Sequence, residues 1–190
     1  MAGGSNDWLC KRDDTLLAII DVQTRLTAAM PAKVLARLQR YTSLLLKAAT
    51  TLNIPVFVTE QYPQGLGRLE PDLERLLPAT SRRYTKTTFS CAGAGTFTAD
   101  LRATRRKQVV LTGMETHVCI LQSAMDLLQS GYQVIVVSEA VCSRHRESYE
   151  TALQRMRQAG VIITNAESVV FEWLRDARHE QFKTLQPLLR

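Results

Sequence analysis

Short runs of apolar residues alternate with longer segments of helical periodicity along this chain. A strand that is apolar at every position has to be covered on both faces, and residues 16–20, 109–111 and 134–137 are such runs. Their alternation with helices is typical of an α/β protein, in which a parallel sheet lies between two layers of helices. The predicted strands cover residues 16–22, 55–59, 84–87, 108–112, 133–138 and 161–164. The predicted helices cover residues 31–52, 69–77, 94–103, 117–130, 143–158 and a segment after 164.

The chain of 190 residues is long enough for one domain with a large core. We predict a loose leader at residues 1–13 and one folded domain over residues 14–190. The apolar runs stay far below the roughly 20 residues that cross a bilayer, and the N-terminus has no hydrophobic signal core. These features favour a cytoplasmic protein, with a mitochondrial location left open, in which the 4 cysteines are free thiols.

The net charge is +6, and the positive side chains are concentrated in a few clusters. Such a surface suits nucleic acid or an anionic substrate. However, no segment resembles a groove-reading helix, and aromatic residues are not interleaved with the basic ones. We therefore interpret the charge as a solvated surface and keep nucleic-acid binding, including ribonuclease activity, as an alternative. The clusters are Arg82 and Arg83 with Lys86, Arg102 with residues 105–107, Arg144 with Arg146, and Arg155 with Arg157.

Cys119 follows the predicted strand at 108–112 and lies at the start of a helix. Thr116 is placed to cap that helix, and Gly131 is placed to end it. In a first helical turn, free N–H groups and the helix dipole lower the pKa of a cysteine and make it nucleophilic. A buried structural cysteine is the alternative interpretation. His117 lies two residues earlier, so the two side chains are expected to point apart rather than form a dyad.

Asp21 lies at the end of the first predicted strand. A buried carboxylate needs a partner or a raised pKa, although an aspartate that caps a turn is the alternative. Ligands of parallel sheets bind beyond the carboxyl ends of the strands, where the strand order reverses, so Asp21 and Cys119 are expected to meet there. Lys86 would stabilise a thiolate and pair with the carboxylate, but a lone lysine is more often exposed to solvent.

Three motifs, in this order, carry a resemblance to a known family. They are Ile-Asp-Val-Gln at residues 20–23, Lys-Thr-Thr-Phe-Ser at 86–90, and Thr-Gly-Met-Glu-Thr-His-Val-Cys at 112–119. With them, the chain from Thr15 to its C-terminus resembles the isochorismatase-like cysteine hydrolase superfamily, and in particular its isochorismatase-domain-containing branch. The resemblance implies a six-stranded parallel sheet in a Rossmann-like α/β/α sandwich, and it implies a homo-oligomer.

The resemblance also implies the residues of a catalytic site. Asp21, Lys86 and Cys119 match an Asp–Lys–Cys triad, and the backbone N–H groups of Glu115 and Cys119 match an oxyanion hole. In relatives a cis peptide bond precedes the residue that matches Glu115, so one is expected here after Met114. The side chains expected to bind substrate are Gln23, Gln61, Tyr62, Phe89 and Met114.

At two points this sequence differs from the sequences of relatives, and each difference restricts the reaction that we expect. Metal-dependent nicotinamidases carry an Asp-x-His pair where this chain has Glu60, Gln61 and Tyr62, so we predict no metal and no cofactor. True isochorismatases cleave an enol ether without a cysteine, so Cys119 argues against that reaction. We predict a hydrolase that cleaves a small amide-like or ester-like substrate through a thioester. A non-catalytic scaffold with the same fold is a further alternative.

Overall fold

The computed structural model describes residues 8–189 and contains one six-stranded sheet. Its strands are β1 Thr15–Ile20, β2 Val56–Gln61, β3 Arg82–Lys86, β4 Gln108–Met114, β5 Gln133–Cys142 and β6 Ile162–Thr164. All neighbouring strands are parallel, in the spatial order β3-β2-β1-β4-β5-β6. The predicted fold class is confirmed.

Helices connect successive strands and cover the sheet. The α-helices of the described residues are α1 Thr24–Thr27, α2 Ala32–Thr51, α3 Pro63–Leu66, α4 Pro71–Glu74, α5 Phe97–Ala103, α6 Leu121–Gln129, α7 Arg146–Ala159, α8 Ala166–Leu174 and α9 Phe182–Leu185. Short 3₁₀ turns occupy Arg12–Asp14, Cys91–Gly93 and Gln186–Leu189, and a π-helical turn at Thr116–Ile120 leads from β4 into α6. Between residues 8 and 189, none of the helices combines the length and the hydrophobicity needed to span a membrane.

The central strand β1 shows how the chain builds three layers. Leu17 and Ile19 are buried in a core that includes α2 and α8, whereas Leu16, Ala18 and Ile20 are buried in a second core that includes α5, α6 and α7. Successive side chains of a strand point to opposite faces, so an entirely apolar strand supplies both cores. Each buried leucine or isoleucine contributes about 1.5–3 kcal/mol, which stabilises β1 in the middle of the sandwich.

The predicted strands have the right number and order along the chain, but their ends differ: β1 and β3 end one or two residues earlier than predicted, whereas β2, β4 and β5 end later. β4 continues to Met114 and β5 continues to Cys142, past the polar residues at which the apolar pattern stops. The helix predicted at residues 69–77 is reduced to α4. The capping residue of α8 is Asn165, whose side chain accepts a hydrogen bond from the Ser168 N–H.

The N-terminal segment packs against α8. Residues 1–7 of the predicted leader lie outside the described part of the chain. Cys10 is buried, its N–H donates to the Glu172 carboxylate at 2.6 Å, and the Trp173 indole N–H lies 3.1 Å from its Sγ. The packed chain therefore begins before residue 14, which is the boundary predicted from the sequence.

The strand order reverses between β1 and β4. From β1 the chain proceeds outward to β2 and β3 on one side, and from β4 it proceeds to β5 and β6 on the other. Asp21 directly follows β1, and Cys119 lies in the π-helical turn after β4. The fold thus brings both residues to the carboxyl edge of the sheet at its switch point, where ligands of this architecture bind.

Candidate active site

Asp21 and Lys86 form a fully buried ion pair. The chain leaves β1 at Asp21 with a φ of +51°, a left-handed conformation that aspartate tolerates better than most residues. Lys86 Nζ donates to Asp21 Oδ2 at 2.6 Å, and the Thr59 hydroxyl donates to Oδ1 at 2.7 Å. Burial of a carboxylate costs several kcal/mol unless partners compensate it, and here each oxygen has a donor.

Lys86 is the last residue of β3, and its ammonium group has several acceptors besides Asp21. Nζ lies 2.7 Å from Gln61 Oε1, 2.9 Å from the Phe89 carbonyl oxygen and 3.2 Å from that of Thr88. Its three N–H groups are therefore all engaged and point in fixed directions. The alternative of a solvent-facing lysine is wrong, because this side chain is fully buried.

Cys119 completes the cluster. Its side chain is within hydrogen-bond reach of both Asp21 and Lys86, and only 6% of the residue is exposed. The pKa of the thiol is raised to about 12, chiefly by burial and then by the negative charge of Asp21, while the positive charge of Lys86 lowers it. The expected low pKa at a helix N-terminus is therefore wrong, because burial removes water from around the sulfur. A thiol with a raised pKa is protonated at neutral pH, so Cys119 carries a neutral thiol.

The turn that holds Cys119 differs from the predicted capped helix. Thr116 does not act as a cap, because its hydroxyl is buried without a hydrogen-bond partner. Instead, Glu115 precedes the π-helical turn, and its carbonyl oxygen accepts from the N–H groups of Val118 at 3.1 Å and Ile120 at 3.2 Å. The Glu115 carbonyl oxygen thus accepts one bond from the third residue after it and one from the fifth, which is the π-helical spacing. These two bonds together fix the conformation of the turn.

The peptide bond between Met114 and Glu115 is cis, which confirms the expectation from the resemblance. The Glu115 side chain is mostly buried, and its Oε1 accepts from Arg144 Nε at 3.0 Å and from the Arg144 N–H at 3.2 Å. The loop after β5 is thereby fixed to the segment that carries Cys119. The oxyanion hole expected from the N–H groups of Glu115 and Cys119 stays a prediction.

Two of the expected substrate-binding side chains, Gln23 and Met114, are buried. Gln23 is fully buried, its Nε2 donates to the carbonyl oxygens of Gln61 at 2.9 Å and Gly67 at 2.7 Å, and its Oε1 accepts from the Gln61 N–H at 2.7 Å. Met114 is fully buried in the core that includes α2. Both side chains therefore support the site from within the protein, and a direct contact of either with substrate stays a prediction.

The other three expected contacts have different surroundings. Gln61 holds Lys86 through Oε1 and donates from Nε2 to the Thr87 carbonyl oxygen at 2.8 Å, so it positions the lysine. Tyr62 is 54% exposed and lines a groove of about 300 Å³ together with Lys86. Phe89 is 51% exposed and follows Lys86 in the same loop. Tyr62 and Phe89 therefore remain predicted substrate contacts.

Sequence reasoning missed two polar residues at the end of β2. Thr59 binds Asp21 directly, and Glu60 is buried with its Oε1 accepting from Arg83 Nη1 at 2.6 Å and from the Leu69 N–H at 2.9 Å. Thr59 follows an apolar run immediately, as Asp21 does in β1, and Glu60 is the next residue. That pattern, a polar residue at the carboxyl end of a buried strand, is the signal that marks them.

His117, which lies two residues before Cys119, has its hydrogen-bond partner outside the cluster of Asp21, Lys86 and Cys119. His117 Nδ1 lies 2.9 Å from the Ser143 hydroxyl, so its described partner is in the loop after β5 rather than Cys119. Across residues 8–189, no group of three or more His, Cys, Asp or Glu side chains is arranged to hold a metal ion. That the chemistry needs no metal and no cofactor stays a prediction from the sequence.

Known proteins share both the sequence and the fold. The family described as Isochorismatase domain matches residues 15–168. Isochorismatase domain-containing protein 2 of Bos taurus is 43% identical over 148 residues, covering 77% of this chain and 70% of that protein. Isochorismatase family protein 1B of Dictyostelium discoideum is 38% identical over 149 residues, covering 77% and 72%. The structure of MAR1 ribonuclease from Caenorhabditis elegans superposes with a TM-score of 0.88 at 34% identity, covering 94% and 91%. This chain therefore belongs to the isochorismatase family and has its hydrolase fold.

Proposed function

We propose that this protein is a cysteine hydrolase that cleaves a small amide or ester through a thioester on Cys119. One observation carries the proposal, namely the position of Asp21 between the other two members of the triad. Its carboxylate bonds Lys86 at 2.6 Å and is within hydrogen-bond reach of the Cys119 thiol. A thiol, a carboxylate and a lysine that holds the carboxylate are thus neighbours at one site, which is the arrangement that covalent catalysis needs.

The mechanism begins from a neutral thiol. As Cys119 Sγ attacks the substrate carbonyl carbon, Asp21 accepts the thiol proton, and it then passes that proton to the leaving amine or alcohol. Lys86 stabilises the negative charge that moves between the carboxylate and the sulfur. The N–H groups of Glu115 and Cys119 are proposed to hold the oxyanion. Water that has given its proton to Asp21 then attacks the thioester, releasing the acid and restoring the thiol.

The surroundings of the triad favour a small substrate. Asp21 and Lys86 are fully buried and Cys119 is almost so, which leaves access for a compact group only. The exposed rings of Tyr62 and Phe89 would provide apolar contact near the site. We further propose that the enzyme is a cytoplasmic homo-oligomer that works without metal or cofactor, as the sequence predicts.

Ribonuclease activity is the second candidate, because a relative at 34% identity is named a ribonuclease. The distribution of basic residues argues for the small substrate instead. Residues 105–107 precede β4 and so lie at the amino edge of the sheet, opposite to the edge that holds Cys119. Arg82 is paired with Asp100, and Arg83 is paired with two glutamates. These cations do not form a single groove leading to the triad, which binding along a nucleic-acid backbone would require.

The proposal is tested by screening small amides and esters, with a fluorogenic RNA in parallel. Cys119→Ala and Asp21→Asn are each expected to reduce kcat/KM at least about 1,000-fold, because residues that act as one catalytic unit fail together. Cys142→Ala, which alters another buried thiol, should keep the wild-type rate. RNA cleavage without small-molecule hydrolysis would favour the ribonuclease, and hydrolysis that survives Cys119→Ala would refute the covalent mechanism. Inactivity of wild type toward all substrates would favour a scaffold.

A further inference from the structure

A second cavity, of about 480 Å³, opens at the carboxyl edge of β5, away from the triad. It lies beside the first turns of α2 and α7. Pro31 and Val34 provide an apolar wall, and Arg37, Arg144 and Arg146 provide a basic one. Asp21, Lys86 and Cys119 do not line this cavity. Three guanidinium groups therefore surround one concave space, and the proposed hydrolase mechanism gives them no role.

Arg37 is held in place without a carboxylate partner. Its Nη2 donates to the Val141 carbonyl oxygen at 3.0 Å, and its guanidinium lies 5.2 Å from the centroid of the Tyr149 ring. Its Nε is buried and has no hydrogen-bond partner. Among residues 8–189 no carboxylate oxygen lies within 4.0 Å of a nitrogen atom of this side chain. The positive charge is thus fixed in position and is not neutralised.

Of the other charged residues that line the cavity, Arg144 and Arg146 are positive and Glu150 is negative. Arg144 and Arg146 are paired with Glu115 and Glu150, but both arginine side chains are more than half exposed, and such pairs are weak. The two long helices α2 and α7 begin beside the cavity, and neither Pro31 nor His145 provides a side-chain cap at their N-termini. Helix N-termini carry partial positive charge, which adds to that of the arginines.

We propose that this cavity is a binding site for a small organic anion, whose carboxylate or phosphate group is held by Arg37 while its apolar part lies against Pro31 and Val34. A fixed guanidinium suits this task because its planar N–H groups form paired, charge-assisted hydrogen bonds with an oxyanion. The positive charge of Arg37, which no carboxylate among residues 8–189 pairs with, is what such a ligand would neutralise. The site is separate from the triad, so its existence does not depend on the proposed hydrolase activity.

Calorimetric titration of the whole protein in low-salt buffer tests this proposal, with inorganic phosphate and butyrate as separate probes. Saturable binding of at least one probe is expected, and the stronger of the two identifies the preferred anion. Arg37→Gln should raise the dissociation constant by about tenfold or more, since it removes a charge-assisted contact. Arg155→Gln removes the same charge from an exposed position elsewhere on α7 and should leave binding unchanged.

A second variant keeps every arginine. Val34→Glu places a carboxylate inside the cavity, where it would occupy Arg37 and abolish binding of both probes. Circular dichroism shows whether Arg37→Gln is folded. If it is not, the proposal is judged from the binding measured with Val34→Glu. The proposal is overturned if wild type shows no saturable binding of either probe at tens of millimolar. It is equally overturned if folded Arg37→Gln or Val34→Glu binds them as wild type does.

Discussion

Replacement of Asp21 by asparagine separates the two roles that the carboxylate has toward Cys119. Burial and the Asp21 charge together raise the pKa of the thiol from 9.0 to about 12. That shift corresponds to about 4 kcal/mol against forming the thiolate, at 1.36 kcal/mol for each pH unit. Asp21→Asn leaves the burial but removes the negative charge, and a like charge in contact is worth about 1–3 pH units. The pKa of Cys119 should therefore fall by at least about one unit, while hydrolysis is lost because the base is gone.

The assay is the rate of iodoacetamide labelling at Cys119, resolved by peptide mass spectrometry over a series of pH values. Only the thiolate reacts, so a fall of one pH unit in the pKa raises the labelling rate at neutral pH about tenfold. Lys86→Met should have the opposite effect, because the lysine charge lowers the thiol pKa in wild type. Wild-type labelling should rise with pH without a plateau near neutrality.

The matched control is Asp72→Asn, which removes a carboxylate that pairs with Arg75 on the surface. It should leave the labelling rate of Cys119 at the wild-type value. The reasoning is refuted if Asp21→Asn labels more slowly than wild type at every pH, or if its apparent thiol pKa rises. A variant that both labels faster and hydrolyses substrate normally would equally contradict the role of Asp21 as base.

Three further predictions concern stability, each measured by urea unfolding. Lys86→Met should lower the free energy of unfolding by about 3–5 kcal/mol, because it leaves Asp21 charged and buried without its partner. Most of that loss should disappear in the double variant Lys86→Met/Asp21→Asn. An equal loss in the single and the double variant would contradict the ion-pair account. Gly113→Ala should lower the free energy of unfolding by more than about 3 kcal/mol, since φ of Gly113 is +121° and a Cβ would lie 2.0 Å from the Ile20 carbonyl oxygen. A loss below about 1 kcal/mol would contradict this expectation. The four buried thiols, whose pKa values are raised to about 12, stabilise the fold fully below pH 9 and lose that contribution as the pH rises toward 12. The unfolding free energy should therefore fall above about pH 9 by up to about 1.4 kcal/mol per pH unit for each thiol, and Cys142→Ala should remove one thiol's share of that slope; an unchanged slope would contradict it.

The sequence predicts the architecture because the strands are apolar on both faces. Residues 16–20 and 134–137 have no polar position that solvent could reach, so they require helices on both sides, and the sheet is as predicted. The strand ends are less predictable. β5 continues past Ser138 and Glu139 because its main chain pairs with β4 again at Val141 and Cys142 after an irregularity in the register, which a pattern of side-chain polarity does not record.

Some residues of the candidate site can be predicted from the sequence pattern and others cannot, and the difference has physical reasons. Asp21 is visible as a polar residue closing a buried strand, but nothing in the pattern around Lys86 shows that its side chain crosses β2 to reach it. That residue is found through the family motif. Gln23 and Met114 are buried rather than open beside the site, which the sequence does not show because closeness to a motif does not tell which way a side chain points. Burial likewise reverses the expected pKa shift of Cys119, since desolvation depends on the whole fold.

The measurement that tests the central claim most directly is the trapping of an acyl group on Cys119. Wild-type protein would be mixed with a substrate found in the screen, or with a small activated ester, quenched in acid within the first turnovers and digested for mass spectrometry. The account predicts an acyl adduct on the peptide that contains Cys119, formed and lost at rates compatible with turnover, and absent from Cys119→Ala. Turnover without any such adduct, combined with undiminished activity of Cys119→Ala, would contradict it.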